Sequence, residues 1–179
     1  MKFISLIILL TLCGFANNTS NQMSPKQLSV LQTVRDIAKS IPDKHGTTYE
    51  NTISAICITE SDAGDNLVGD YHHKKSITKA SLGAMQIRVQ TARHVSQYVK
   101  KLNWISKLSD IQIAARLLGD VRLSAKVATY YVVLLHEQRS NSFHAVSGYN
   151  GGMNNYTYYN RVVKNMAVVD RLVSAGKLS

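Results

Sequence analysis

Cysteine is scarce in this chain, which has Cys13 and Cys57 as its two cysteines among 179 residues. The N-terminal apolar run Phe3–Leu12 lacks the length to cross a bilayer comfortably. The run follows Lys2 and precedes small residues, an arrangement typical of a cleaved export signal. Removal of residues 1–16 would leave Cys57 alone, and an intramolecular disulfide is then excluded.

The N-terminal segment has two alternative fates, retention as an anchor and lipidation of Cys13, although the bulky Leu12 before that cysteine disfavours lipidation. We expect an exported protein, periplasmic or associated with the cell envelope, without stable membrane insertion. Residues 17–24 are predicted to be a flexible segment and residues 25–179 to form the folded domain.

Alternation of apolar and polar residues of the kind found in strands is nearly absent, as are internal repeats, coiled-coil heptads and low-complexity tracts. Helical periodicity recurs instead. Ser24-Pro25 is a good helix opening, the nearly apolar stretch Leu123–Leu135 predicts a central buried helix, and a last helix is predicted over 158–175. With a hydrophobic content of 45%, the chain can form one core. The predicted fold class is therefore mostly α, in a single domain.

Acidic residues are in the minority, with 11 Asp and Glu against 21 Lys and Arg and a formal net charge of +10. The predicted signal contains only Lys2, so the exported chain would keep +9 (10 − 1). These cations are spread along the sequence and favour a polyanionic partner. Helix-turn-helix, zinc-finger and aromatic RNA-binding motifs are absent, so nucleic acid is not expected as the partner. For an exported protein, the available anionic polymers are cell-wall glycan and its attachments.

Several motifs of metal, phosphate and serine chemistry are missing. His136-Glu137 begins like a zinc-protease helix, but Ser140 stands where a second histidine is needed. The side chains of the adjacent His72 and His73 diverge, and the spacing suggests no third ligand. There is no phosphate-binding glycine loop and no Gly-x-Ser-x-Gly turn. We expect neither a metal nor a cofactor.

The stretch Ile53–Ile87 contains the strongest candidate for catalysis. Glu60 follows Cys57 and Ile56 by three and four residues, so its side chain projects from the same apolar stripe of a helix. Partial burial raises the pKa of a carboxyl group, as a general acid near neutral pH requires. One alternative is a solvated Glu60 at a frayed helix end. Another is Cys57 as a nucleophile, although its place on the stripe favours a buried structural thiol.

The neighbouring segments complete the local prediction. A polar loop is predicted over 62–79, after the helix that carries the candidate carboxylate. The segment Ser81–Ile87 is predicted to restart an amphipathic helix, with Ser81 as its N-cap and an end near Val99. A threonine of Thr47-Thr48 is predicted to cap the preceding helix.

Four stretches of the sequence occur in an order that is typical of one family. They are Glu60-Ser61 at a helix end, Ser81–Ile87 followed by Thr91-Ala92, the buried segment Ala128–Val132 with its tyrosines, and Ala145–Gly152. Together, over about residues 48–165, they resemble the lytic transglycosylases with the SLT (soluble lytic transglycosylase) domain, of the lysozyme superfamily. The resemblance implies a lysozyme-like helical domain with a substrate groove. It also implies cleavage of the β-1,4 bond between N-acetylmuramic acid and N-acetylglucosamine, which gives 1,6-anhydromuramyl products.

The resemblance also implies roles for individual residues. Glu60 would be the sole catalytic residue, acting first as the acid and then as the base. Six residues would bind substrate: Ser81, Met85, Gln86, Tyr131, Tyr149 and Asn150. The implied partner is the peptidoglycan glycan strand, and a secretion or envelope-spanning assembly is a further candidate.

Two alternatives to this function remain open. The segment between Glu60 and Gly83 is longer than is usual in the family and contains Asp62, Asp65 and Asp70. One of these as a second carboxylate would make the protein a water-using muramidase. The other alternative is a non-catalytic wall-binding or assembly protein that retains the groove.

Overall fold

The computed structural model describes residues 23–71 and 76–179, and helices dominate that part of the chain. It contains seven α-helices and one two-stranded antiparallel sheet: α1 (Pro25–Lys39), α2 (Glu50–Ser61), β1 (Val68–Gly69), β2 (Ser81–Leu82), α3 (Val89–Tyr98), α4 (Asp110–Gly119), α5 (Val121–Gln138), α6 (Ser142–Tyr149) and α7 (Tyr156–Ser174). Short 3₁₀ helices cover Ile77–Lys79 and Lys100–Lys107. The prediction of a mostly α fold is confirmed.

Helix α1 begins where the sequence predicts. The Ser24 hydroxyl accepts a hydrogen bond from the Gln27 backbone N–H, and the Gln27 side chain accepts one from the Ser24 N–H. This reciprocal capping box, with Pro25 in the first turn, satisfies donors that a helix start leaves free. The predicted export signal, residues 1–16, lies outside the described residues, as does most of the segment 17–24.

The core forms where α2 and α5 pack against their neighbours. Helix α2 packs chiefly against α7 and α1, and α5 against α1 and α6. Both are buried on most sides; Ile53, Ile56, Val127 and Val132 are fully enclosed. The prediction of α5 as a buried central helix is confirmed. The predicted threonine cap of α2 is wrong, because Tyr49 occupies the N-cap position and makes no side-chain cap bond.

The segment Ser81–Ile87 is not helical, which corrects the sequence prediction. Ser81–Leu82 forms β2, a tight turn follows, and α3 begins only at Val89. Leu82 and Ile87 exchange backbone hydrogen bonds of 3.1 and 2.9 Å across that turn. Gly83 at φ 74° and Gln86 at φ 49° adopt left-handed conformations that are incompatible with a continuing α-helix. The spacing of the apolar residues in this segment matches that of an apolar helical stripe. These residues are buried by contacts with other parts of the fold, not on the face of a helix.

None of the helices within 23–71 and 76–179 combines the length with the apolar character that a membrane crossing requires.

Candidate functional site

Glu60 lies in the last turn of α2, half-buried at the floor of a groove. The Tyr158 hydroxyl donates a hydrogen bond to Glu60 Oε1 at 2.6 Å. Burial raises the pKa of the Glu60 carboxyl, and the charge of Asp70 adds to that effect, whereas the Tyr158 hydrogen bond and the charge of Arg161 oppose it. A carboxyl group in this environment retains its proton to a higher pH than a solvated glutamate does.

Tyr158 is held rigidly at the start of α7. The Asn155 side chain accepts a hydrogen bond from the Tyr158 backbone N–H at 3.0 Å and so caps the helix. The Tyr158 ring is only 4% exposed. Burial and the nearby charge of Glu60 raise the pKa of the Tyr158 phenol, which therefore keeps its proton and acts as a donor.

Two further side chains of α7 tie that helix to the end of α2. Arg161 Nη2 donates to the Thr59 carbonyl oxygen at 2.8 Å, and Asn165 Nδ2 donates to Thr59 Oγ1 at 2.9 Å. The carbonyl groups of a last helical turn have no intrahelical donor, so Arg161 satisfies one of them. These bonds fix the backbone immediately before Glu60.

Ser61 connects the end of α2 to the turn after β2. Its hydroxyl donates to the Ala84 carbonyl oxygen at 2.6 Å and accepts from the Gly64 backbone N–H at 2.8 Å. Asp62 then ends the helix in a left-handed conformation with φ 52°. The Glu-Ser pair thus places the carboxylate in the groove and anchors the two loops beside it.

Tyr149 and Tyr131 line the groove as neighbours. Their ring centroids lie 5.7 Å apart, the Tyr149 hydroxyl donates to the Met85 carbonyl oxygen at 2.8 Å, and the Tyr131 hydroxyl donates to the Gly148 carbonyl oxygen at 3.3 Å. Burial raises the pKa of both phenols, so both remain neutral donors. The sequence predicts Met85 in the groove, but the structure does not place it there. Its side chain is fully buried in the core, because the turn directs it inward.

Polar and charged side chains also line the groove. Arg88 Nη2 pairs with Asp70 Oδ2 at 3.0 Å, and Ser81 Oγ donates to the same oxygen at 3.4 Å. Gln86 Nε2 donates to the carbonyl oxygens of Asn66 and Gly83, at 3.0 Å in each case. The left-handed backbone at Gln86 and these two bonds fix its side chain at the groove.

The groove has a volume of about 610 Å³. Six of the seven predicted site residues line it: Glu60, Ser81, Gln86, Tyr131, Tyr149 and Asn150. Helices α2 and α5, the C-terminal end of α6, and strand β2 with the turn after it contribute them, so tertiary packing brings together residues from distant parts of the sequence. A cavity lined by polar side chains and tyrosine rings suits a carbohydrate better than an apolar ligand.

The three loop aspartates have different positions. Asp62 caps α2, and Asp65 pairs with Lys26 at 3.7 Å, away from the groove lining. Of the three, Asp70 alone lines the groove. It is therefore the one candidate for a second carboxylate among them.

Cys57 and His136 have structural surroundings in the described part of the chain. Burial raises the pKa of the Cys57 thiol to about 12, and Cys57 is fully buried, which makes it a poor nucleophile. His136 stacks on Tyr49 with 4.2 Å between ring centroids. His72-His73 lie outside the described residues. Across residues 23–71 and 76–179, no three His, Cys, Asp or Glu side chains are grouped so that they could hold a metal ion.

Tyr158 and Arg161 are groove residues that sequence reasoning missed. Their spacing of three places them on one face of a helix, a usable but weak signal because α7 contains three tyrosines close together. Arg88 and Thr91 also line the groove.

A family model described as the transglycosylase SLT domain matches residues 41–168, a span that includes every groove residue named above. No curated protein and no solved structure matches the chain.

Proposed function

Since this chain belongs to the transglycosylase SLT domain family, we propose that it is a peptidoglycan lytic transglycosylase with Glu60 as its acid and then its base. Family membership gives the coarse function, action on peptidoglycan of the lytic transglycosylase type. The bond cleaved is the β-1,4 bond between N-acetylmuramic acid and N-acetylglucosamine, and the product is a 1,6-anhydromuramyl end. The observation that carries the role of Glu60 is its half-buried carboxyl, with a raised pKa and a fixed hydrogen bond, at the floor of the groove.

The first step transfers the proton of Glu60 to the glycosidic oxygen while the bond from that oxygen to the anomeric carbon breaks. The electron pair of the bond leaves with the oxygen, and the muramyl ring acquires oxocarbenium character. Burial raises the pKa of Glu60 and so favours the protonated form that this step needs. As the carboxylate forms, the Tyr158 hydroxyl and the positive charge of Arg161 stabilise it.

In the second step the muramyl 6-hydroxyl attacks the anomeric carbon of the same sugar, and the Glu60 carboxylate takes the hydroxyl proton. One carbon–oxygen bond forms, Glu60 regains its proton, and no water is consumed. The nucleophile is part of the substrate, so its high effective concentration replaces the activation of free water by a second carboxylate. One acid/base group is then sufficient.

The other groove residues are proposed to bind the glycan. Tyr131 and Tyr149 offer aromatic faces to sugar rings, and their hydroxyls are already engaged with backbone carbonyls, so both rings are held in place. Ser81, Gln86 and Asn150 offer hydroxyl and amide groups to sugar hydroxyls and acetamido groups.

Product analysis tests the proposal directly. Purified sacculi are digested with the protein in water enriched in ¹⁸O, and the muropeptides are identified by mass spectrometry. We expect anhydromuramyl ends without ¹⁸O. Reducing ends that contain ¹⁸O would show that water is the nucleophile and would reject the transglycosylase reaction.

Replacement of Tyr158 by Phe tests the support for Glu60. The variant retains the ring but removes a hydrogen bond that stabilises the carboxylate, so the pKa of Glu60 should rise further. Activity that needs protonated Glu60 declines as pH rises through this pKa, so the alkaline limb of the kcat/KM profile should move to higher pH. We also expect kcat to fall roughly tenfold, since a hydrogen bond to a charged group is lost.

Tyr159→Phe is the matched control, because Tyr159 packs edge-on against Phe143 with 5.1 Å between ring centroids and does not line the groove. Its pH profile should equal that of the unmodified protein. An unshifted profile for Tyr158→Phe would mean that the titrating acid is a group other than Glu60.

A hydrolytic muramidase is the second candidate function, and the position of Asp70 supports it. Asp70 lines the same groove as Glu60, and its charge adds to the rise in the Glu60 pKa. However, Arg88 and Ser81 engage one of its carboxylate oxygens, Oδ2, so that oxygen is already occupied and less available to accept a proton from water.

Asp70→Asn separates the two reactions. For a transglycosylase we expect the variant still to release anhydromuramyl products, with a rate reduced by less than about tenfold, because no step uses Asp70 as a base. Rates of product release and the identity of the ends are measured together by chromatography and mass spectrometry. Loss of all cleavage by a folded variant would favour the hydrolase.

The site of action is proposed to be the cell envelope after export, where the glycan strands are located. A secretion or envelope-spanning assembly is proposed as a further partner, since construction of such an assembly requires local cleavage of the wall.

A further inference from the structure

A second cavity of about 460 Å³ adjoins the glycan groove. Its lining consists of Asp70, Thr78, Lys79, Arg88 and Gln90. Asp70 and Arg88 line both cavities, so their ion pair forms the boundary between them. The second cavity is therefore a lateral extension of the groove.

Local structure holds Lys79 at this cavity. The 3₁₀ helix Ile77–Lys79 is capped by Ser76, whose hydroxyl accepts from the Thr78 backbone N–H at 3.4 Å. Ala80 follows and is only 2% exposed, and β2 begins at the next residue. The backbone on the C-terminal side of Lys79 is thus packed into the core, while the lysine itself is exposed at the cavity.

The charge of the second cavity is positive. Arg88 balances Asp70, which leaves the ammonium group of Lys79 as the excess charge of the lining. Within residues 23–71 and 76–179, no carboxylate lies within ion-pair distance of Lys79. Arg88 contributes more donors than the Asp70 bond uses, because a guanidinium has five N–H groups. Thr78 and Gln90 add a hydroxyl and an amide.

This chemistry does not match a bare glycan. The N-acetylated sugar backbone of peptidoglycan is uncharged, whereas the peptide stem attached to the lactyl group of each muramyl residue carries free carboxylates. A positive, polar cavity beside a glycan groove matches that stem in charge and in hydrogen-bonding groups.

We propose that the cavity formed by Thr78, Lys79, Arg88 and Gln90 binds a carboxylate of the peptide stem on a muramyl residue in the groove. The proposal rests on the proposed function for the identity of the groove ligand. It assigns to Lys79 a role in substrate selection: the protein prefers strands whose stems are charged over strands whose stems are amidated or removed.

The test is a binding measurement that does not depend on catalysis. The probe is the disaccharide N-acetylglucosaminyl-N-acetylmuramyl-peptide, which lacks the bond to be cleaved, in two forms, with free stem carboxylates and with the same carboxylates amidated. Titration calorimetry with the whole protein gives the affinity for each form. We expect the free-carboxylate form to bind roughly threefold more tightly, the gain of one partly exposed ion pair.

Lys79→Gln should remove this preference by weakening binding of the charged form alone, and Lys79→Glu should reverse it. Lys107→Gln is the matched control, since Lys107 is an exposed lysine that lines neither cavity. Lys107→Gln should leave the preference intact, although it lowers the net charge by as much as Lys79→Gln does.

Equal affinity of the unmodified protein for the two forms, or a loss in Lys79→Gln that is the same for both, would overturn the proposal. The proposed function fails by a different result, the absence of anhydromuramyl products from sacculi. Failure of the binding preference can therefore be distinguished from failure of the proposed function.

Discussion

Replacement of Glu60 by Gln is expected to abolish cleavage of peptidoglycan, with a loss of roughly 1,000-fold or more in initial rate, toward the upper part of the range for general acid–base catalysis. Glutamine has nearly the same shape but can neither give a proton to the glycosidic oxygen nor take one from the muramyl 6-hydroxyl. Release of soluble muropeptides from sacculi, followed by chromatography, measures the rate. The effect is large because one group serves both steps of the proposed reaction.

The fold should survive this substitution. The amide oxygen of a glutamine can accept the Tyr158 hydrogen bond in place of Glu60 Oε1. Glu137→Gln is the matched control, because Glu137 is exposed on α5 and lines neither cavity. A rate for Glu60→Gln within tenfold of the unmodified protein would contradict the assigned role. Unchanged wall binding and biological activity would instead favour the non-catalytic alternative.

The same variant has a predicted effect on stability. The pKa of Glu60 is raised in the folded state above its ordinary value, so unfolding favours loss of its proton. The protein therefore loses stability as pH rises from the unfolded-state pKa through the folded-state pKa. Glu60→Gln has no such titration. Its melting temperature relative to the unmodified protein should increase as the pH rises above about 4, the ordinary pKa range of a glutamate.

The part of the site that sequence could predict is the part that depends on local periodicity. Glu60 continues the stripe of Ile56 and Cys57 on one helix, and its partial burial follows from that spacing alone. A helix end at Tyr149-Asn150 could likewise be predicted, since a glycine follows. In the structure that residue, Gly151, has φ 85°. Each of these features can be predicted from a single segment of the sequence, without its contacts to other segments.

Contacts between segments could not be predicted from local periodicity. Tyr158 bonds to Glu60 across 98 residues, and only the packing of α7 on α2 brings them together. The sequence predicts a helix at the turn after β2, because the spacing of Leu82, Met85 and Ile87 fits a helix. These residues are buried by surrounding helices although the backbone is not helical. Asp70 falls in a predicted loop, where periodicity gives no position, and in the structure it forms an ion pair with Arg88.

Gly83→Ala is expected to be strongly destabilising, by about 3 kcal/mol or more in the free energy of unfolding. Two costs combine at this position. An alanine at φ 74° adopts the left-handed region, which costs roughly 1–2 kcal/mol. Its Cβ would also lie 2.0 Å from the Leu117 carbonyl oxygen, a backbone atom of α4 that cannot move aside as a flexible side chain would. Thermal unfolding should show a fall of about 10 °C in the melting temperature.

Two other glycines separate these costs. Gly46 has φ 83° and no neighbour within 4 Å of an added Cβ, so Gly46→Ala measures conformational strain alone. Gly119, at the end of α4, has neither a positive φ nor a neighbour within that distance, so Gly119→Ala should be close to neutral. The expected order of destabilisation is Gly83, then Gly46, then Gly119.

The consequence of Gly83→Ala extends from the fold to the groove. The Gly83 carbonyl oxygen accepts both the backbone N–H and the side-chain Nε2 of Gln86, and the Gly83 N–H donates to the Leu67 carbonyl oxygen at 2.8 Å. Displacement of this turn from α4 would therefore move Gln86, and also the Met85 carbonyl that anchors Tyr149. We expect the folded fraction of the variant, assayed below its melting temperature, to bind glycan more weakly, whereas Gly46→Ala leaves binding unchanged. A stable Gly83→Ala protein with normal glycan affinity would contradict the close packing of this turn against α4.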